Sequence, residues 1–221
     1  MTAAAIFVKT PGLSPLKTRL ARDIGQAKAE RWYLQAAAAV AELAQAAGLD
    51  AVYWAVAEAN GQSYPAWTGL PCLPQGNGKL GARMARVHNT LVARHGASLL
   101  LGADAPQIDH EWLRGASQWL DKPEARLCLG PARDGGFWTF GANLVIDQVR
   151  WCSVNYSRAD TCSAFKRAMS GLGVWQILPA LTDVDEAGDL TAMAAELTNL
   201  TSPLPRQRQL LTAQRESQAE D

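Results

Sequence analysis

The chain has 221 residues, 48% hydrophobic and 19% charged, enough for one globular domain with a substantial core. Its 21 Lys and Arg balance 21 Asp and Glu, so it lacks the basic excess of a nucleic-acid binder, and no apolar run is long enough to span a membrane. Cys72, Cys128, Cys152 and Cys162 lie far apart with no C-x-x-C, which excludes a disulfide framework and a zinc motif. His88, His95 and His110 fall at helical or helix-start positions, a poor basis for a His-based metal site or triad. The apolar start is short and has no basic leader. It reads as the first strand of a cytoplasmic protein.

Residues 3–8 read as that strand. Residues 9–16, with Pro11, Gly12, Ser14 and Pro15, break regular structure, and a helix opens at 17–20. Lys9, Lys17, Arg19 and Arg22 all precede the first acid, Asp23. A loop with concentrated positive charge feeding a helix is a polyphosphate site in outline, although a solvated basic face is the simpler reading of charge alone. A P-loop is excluded, because Leu16 stands where that motif needs a glycine and Pro15 has no N–H to donate. Residues 27–47 predict a long alanine-rich helix with a buried stripe of Tyr33, Ala36, Val40, Leu43 and Ala47, ended by Gly48. Residues 51–57 predict a second strand and 59–68 a loop. Residues 71–74 form a short extended piece.

Gln75, Gly76, Gly78 and Gly81 then lead into a helix whose apolar face is Leu80, Met84, Val87 and Leu91. Glycines let backbone approach a ligand closely, and Gly81 and Arg83 fall in the first helical turn, suited to a base, ribose or phosphate. A flexible loop plus a cap is the plain alternative.

The central signal is the run 98–106. A buried strand ends at Gly102, presents the Asp104 carboxylate and is turned away by Pro106. The carboxyl edge of a parallel sheet is where such folds bind ligands, and an aspartate there can hold a divalent cation against a phosphate or, more plainly, start a turn or cap the next helix.

A helix over 110–120 and a strand over 125–129 follow. Asp134-Gly135-Gly136 between two strand-like runs predicts a tight hairpin turn, whose charges and aromatics line a cleft if it faces the strand edge. Trp151-Cys152-Ser153 reads as a turn. Ala159, Cys162, Phe165, Met169 and Leu172 predict one helical stripe, and 174–178 a last core strand. In the acidic cluster 182–186, an extended chain points Asp183 and Asp185 to the same side. Alternatively Asp185 is the N-cap of a helix carrying Leu190, Met193, Leu197 and Leu200. Residues 1–200 form a single domain, and 201–221 a polar tail, read as an extra helix or disorder.

Strand alternating with helix predicts α/β architecture with a largely parallel sheet. The order of signals resembles the nucleotide-diphospho-sugar transferase superfamily, the GT-A fold. Within it the chain is similar to a bacterial family of glycosyltransferase-like proteins labelled as a domain of unknown function, associated with radical-SAM and selenium-related proteins. The matching residues are Val8-Lys9-Thr10-Pro11-Gly12, Lys17-Thr18-Arg19-Leu20-Ala21, Gln75-Gly76, Leu80-Gly81, Arg83-Met84, Gly102, Asp104, Pro106, Gly130-Pro131-Ala132, Asp134-Gly135-Gly136, Asp183-Val184-Asp185 and Asp189-Leu190. More distantly, the outline is similar to the phospholactate guanylyltransferases. The resemblance implies a three-layer α/β/α Rossmann-like fold, a mostly parallel sheet with a small antiparallel ribbon. The chain departs from the pattern at Lys79 for an acid, Ala103 for Thr, Gln107 for Gly, and Cys152-Ser153 after Trp151. Lys79 reverses charge beside the nucleotide loop, and either adds a phosphate contact or marks altered activity.

The resemblance implies a metal-dependent transferase using an activated nucleotide and a small-molecule acceptor. Asp104 and Asp185, with Asp183 as the alternative second ligand, hold Mg²⁺ or Mn²⁺. Lys9, Lys17 and Arg19, with Thr10 and Gly12 beside them, meet the phosphates, and Gln75, Gly76, Gly78, Gly81 and Arg83 hold base or ribose. The acceptor approaches Asp134, Gly135, Gly136, Trp138 and Trp151, with Asp134 as general base. Glycosyl transfer from a nucleotide sugar ranks narrowly above nucleotidyl transfer to a phosphorylated acceptor. A diverged, non-catalytic nucleotide-binding module is the third reading.

Overall fold

The computed structural model describes residues 1–219. Glu220 and Asp221, the end of the expected tail, lie outside the described residues. In β1 (Thr2–Val8), Ala4, Ile6 and Val8 join one core cluster and Ala3 and Ala5 the other. A strand covered on both faces requires that alternation. α1 (Thr18–Ile24) leads through Gly25 into α2 (Gln26–Ala46), whose expected stripe is buried. The chain continues through β2 (Ala51–Val56), β3 (Cys72–Pro74), α3 (Leu80–His95), β4 (Ala97–Gly102) and α4 (His110–Leu120). It then forms β5 (Arg126–Pro131), β6 (Phe137–Ala142), α5 (Gln148–Cys152), α6 (Thr161–Ala168), β7 (Val174–Ile177), α7 (Ala187–Thr198) and α8 (Pro205–Ala219).

The seven strands form one sheet in the order β3-β2-β1-β4-β6-β5-β7. Only β6 runs antiparallel to its neighbours β4 and β5. The register sets Phe7 beside Gly102 and Leu101 beside Thr139. The loops after β1, β4, β5 and β7 therefore all leave the sheet at one rim. Buried residues of α2, α4 and α7 pack with Ile6, Leu99 and Leu101 on one face. Those of α3, α5 and α6 pack with Leu100 and Phe140 on the other. This is the expected α/β/α sandwich with an antiparallel ribbon.

Four local expectations are corrected. Residues 174–177 form an edge strand rather than a core strand: among the described residues β7 pairs only with β5, and Val174 and Ile177 are 59% and 49% exposed. The helix expected across 159–172 is only α6, with Ala159 before it and Leu172 beyond its end. Trp151 lies in the short helix α5, whose N-cap Asp147 accepts from Val149 N, and not in a turn. Leu80, placed on the apolar face of α3, is 43% exposed, while Met84, Val87 and Leu91 are buried. Beyond residue 200, α8 buries Leu210, and Gln207 donates to the carbonyls of Pro106 and Ile108.

Candidate active site

Asp104 follows β4 directly. A Cβ on Gly102 would sit 3.3 Å from Asp104 Oδ1. The glycine thus lets the carboxylate fold back over the strand end. Across the rim, Lys17 holds the left-handed backbone, with φ 39° and ψ 48°. That conformation is costly for a side chain other than glycine, and it turns the nearly buried ammonium inward. There Lys17 Nζ pairs with Asp104 Oδ2 and lies 3.3 Å from Asp185 Oδ1 and 3.7 Å from Asp183 Oδ1. Arg19 adds a contact to Asp185 at 3.5 Å. The two late aspartates do face one side of an extended segment. The N-cap of α7 is Glu186, in a reciprocal capping box with Asp189, and not Asp185, whose carboxylate stays turned to the cations.

The charges shape each other. Burial works against the Lys17 ammonium, but Asp104, Asp183 and Asp185 outweigh it and hold its pKa above the ordinary lysine range. Burial and the neighbouring Asp104 push the Asp183 carboxyl up to about 8, against the pull of Lys17. Among the described residues, no three His, Cys, Asp or Glu side chains are spaced as a metal ligand set. The expected metal ligands instead surround an ammonium. Three carboxylates focused on one cation are nonetheless hard oxygen donors of the kind Mg²⁺ and Mn²⁺ take, so the donor chemistry fits.

Two lobes of one cleft meet at Asp104, with Phe7, Leu80, Gly102 and Ser157 as shared wall. The larger lobe, about 860 Å³, carries Lys9, Lys17, Arg19, Lys79 and Arg83. Lys79, the charge-reversing departure, stands at its edge and adds to the basic wall. The smaller lobe, about 260 Å³, is walled by Leu100, Phe137, Trp138 and Tyr156, with Asp134 and Asp183 among its few charges.

Of the residues expected at the nucleotide, Lys9, Lys17, Arg19, Gln75, Gly78 and Arg83 line the basic lobe. Gln75 is buried, with its amide donating to the carbonyls of Val8 and Ala55, so it closes the ends of β1 and β2. Arg83 donates to the Gly78 carbonyl and braces the glycine loop. Thr10 is not available to a ligand: it is buried, its hydroxyl accepts from Trp67 Nε1, and its N–H donates to Glu58. Gly12 and Gly76 shape turns at positive φ outside the lobe. Gly81 packs against the Trp151 backbone and faces a neighbouring recess.

Of the acceptor residues, Asp134, Gly136 and Trp138 line the small lobe. Gly135, at φ 92°, is pressed against the backbone of Ala159. Trp151 is fully buried among His88, Phe140 and Phe165, so it cannot meet an acceptor. Tyr156, Ser157 and Arg158 line the cleft without having been anticipated. They sit in a loop between short helices, and the only local signal is Ser157 at φ 60°, which shows in the backbone and not in the sequence.

Gln107 ties this rim together. Its amide donates to the Thr182 carbonyl at 2.6 Å and to Glu196 Oε2 at 3.0 Å. Glu196 also accepts from the Thr182 N–H and hydroxyl and from Arg133 Nε. One carboxylate thus joins the neighbours of Asp134 and Asp183 to the loop that carries Asp104.

A family profile described as uncharacterized protein conserved in bacteria, DUF2064, matches residues 33–158. The chain belongs to the DUF2064 family. The match includes Asp104 and Asp134 and leaves out Lys17, Asp183 and Asp185. No curated protein matches this DUF2064 chain. Its fold is that of a provisionally assigned nucleotide-diphospho-sugar transferase from Desulfovibrio desulfuricans G20, with 23% identity over 99% of this chain and 95% of the other and a TM-score of 0.82. A nucleotidyl transferase from Methanothermobacter thermautotrophicus is 14% identical over 90% of this chain and 99% of its own, with a TM-score of 0.61. A cytidylyltransferase from Leptospira borgpetersenii is 12% identical over 99% and 95%, with a TM-score of 0.52.

Proposed function

We propose that this protein is a metal-dependent transferase that moves a sugar from a nucleotide sugar to a small acceptor. The observation that carries the reading is the two-lobed cleft, with a basic lobe and an apolar lobe meeting at Asp104. A nucleoside diphosphate suits the basic lobe, where Lys9, Lys17 and Arg19 neutralise phosphate charge as the leaving group departs. Asp104, Asp183 and Asp185 would hold Mg²⁺ or Mn²⁺, which supplies further charge neutralisation when bound. In the transfer, the acceptor hydroxyl oxygen bonds to the anomeric carbon. The bond from that carbon to the diphosphate oxygen breaks, with its electron pair leaving on the nucleotide. The hydroxyl proton passes to Asp134. The setting is cytoplasmic. Among the described residues, no helix is long and apolar enough to cross a membrane.

The basic wall also favours a second reading, nucleotidyl transfer from a triphosphate. Five cationic side chains line that lobe, and a nucleotidyl transferase shares the fold. Calorimetric titration separates the two. Nucleoside diphosphates and nucleotide sugars binding with Mg²⁺ or Mn²⁺, with nucleoside diphosphate released on turnover, support glycosyl transfer. Pyrophosphate released from a triphosphate supports the second reading. Failure of every nucleotide to bind overturns both.

A further inference from the structure

We propose that the small lobe takes an uncharged acceptor with an aromatic or aliphatic body and a free hydroxyl, and rejects a phosphorylated one. This rests on the two-lobe reading above. The aromatic walls present carbon, because their polar ends are used elsewhere: Trp138 Nε1 donates to the Pro179 carbonyl and the Tyr156 hydroxyl to the Trp151 carbonyl. Thr161 is likewise occupied, donating to Asn155 O and accepting from Arg158 N. The cation on this wall, Arg158, is held through Nε by Asp160 at 3.2 Å in a solvent-exposed pair, and water screens the charge of its terminal nitrogens. Asp134 uses Oδ1 to accept from Gly136 N, which leaves Oδ2 to accept from a ligand. A lobe that offers acceptors and apolar surface stabilises a hydroxyl donor. It disfavours a phosphate, which would give up its water for carbon walls beside the Asp134 carboxylate, where the terminal nitrogens of Arg158 and the Ser157 hydroxyl are too few to replace that water. A protonated amine would suit the carboxylates but has no lone pair with which to attack.

The test uses 2-phenylethanol, phenyl phosphate and phenylacetate, which share a ring and differ in charge. Each is titrated into the full-length protein and followed by saturation-transfer NMR. 2-Phenylethanol binds at least about tenfold more tightly than either anion. Ala132→Phe, which places a ring in the lobe, abolishes its binding. Asp134→Arg, at an exposed turn, brings phenyl phosphate in and narrows the gap. An anion binding as well as the alcohol, no binding of the alcohol, or alcohol binding unchanged in Ala132→Phe overturns the proposal. Nucleoside diphosphate is titrated in the same samples. Loss of that binding alone counts against the transferase reading, while its retention without alcohol binding counts against this proposal only.

Discussion

The Lys17 ammonium pairs with the Asp104 carboxylate across the sheet rim, and the same nitrogen reaches Asp183 and Asp185. An internal cation thus offsets part of the mutual repulsion among the three carboxylates. A divalent ion has to compete with it, and a polyphosphate that draws Lys17 away favours the ion. Lys17→Met keeps most of the side-chain length and removes the charge. Free Mn²⁺, followed by its EPR signal, binds this variant about tenfold more tightly than the wild type, while nucleoside diphosphate binding weakens by a similar factor. Equal Mn²⁺ affinity in the two proteins removes Lys17 from this role.

Asp104 stands where the two lobes join, so both depend on it. Asp104→Asn keeps the shape and takes away the charge. Metal-dependent nucleotide binding falls below detection by calorimetry, while the circular dichroism spectrum is unchanged. The same loss without any metal dependence in the wild type assigns Asp104 to orienting Lys17 alone.

Asp183 is the pH-sensitive member of the cluster. Its folded pKa is raised by burial first and by Asp104 second, to about 8. A carboxyl raised in this way favours the folded state fully below its ordinary value near 4, and that contribution is lost as pH rises to about 8. Metal binding runs the other way, because protons compete for the same oxygen. Mn²⁺ affinity therefore climbs with pH up to about 8 in the wild type and is flatter in Asp183→Asn. Parallel profiles in the two proteins count against Asp183 as the titrating group.

The sheet was legible because its strands are short apolar runs closed by Gly, Pro or Asp, and the one rim followed from β–α alternation. Asp104 and the 183–185 cluster carried a local signature, a lone carboxylate beyond a buried strand and two acids at a spacing of two. Thr10 and Trp151 misled because a motif position does not reveal which way a side chain turns. Thr10 faces Trp67, and Trp151 fills the space beneath His88 and Phe140. The Lys17 contact was out of reach altogether. It depends on a left-handed residue that joins the chain after β1 to carboxylates up to 168 positions away.

Gln107, one of the departures from the family pattern, has a definite structural task. Gln107→Ala leaves the Thr182 carbonyl and part of Glu196 without a donor in a buried network. That costs about 2 kcal/mol, or a fall in Tm of about 4–8 °C for a domain of this size. Because Thr182 precedes Asp183, the variant also weakens Mn²⁺ binding, and Gln107→Glu does not restore it since it sets a carboxylate against Glu196. A Tm loss with unchanged Mn²⁺ affinity separates stability from positioning.

His88 sets a second, independent pH dependence. It is fully buried, with Nε2 at 2.9 Å from the Leu144 carbonyl and Nδ1 at 2.6 Å from Ser98 Oγ. A carbonyl only accepts, so Nε2 carries the proton and Nδ1 accepts from the serine hydroxyl. Burial then opposes a second proton and lowers the pKa to about 4, although the bond to Leu144 pulls upward. The unfolded chain, with an ordinary value near 6.5, binds that proton more readily. The contribution is complete above about 6.5 and is lost as pH falls toward 4, at most about 3 kcal/mol. Urea unfolding at stepped pH measures it. His88→Gln is less stable at neutral pH, and its stability falls less over that interval than the wild type's. If the two proteins lose stability in parallel, the imidazole is silent.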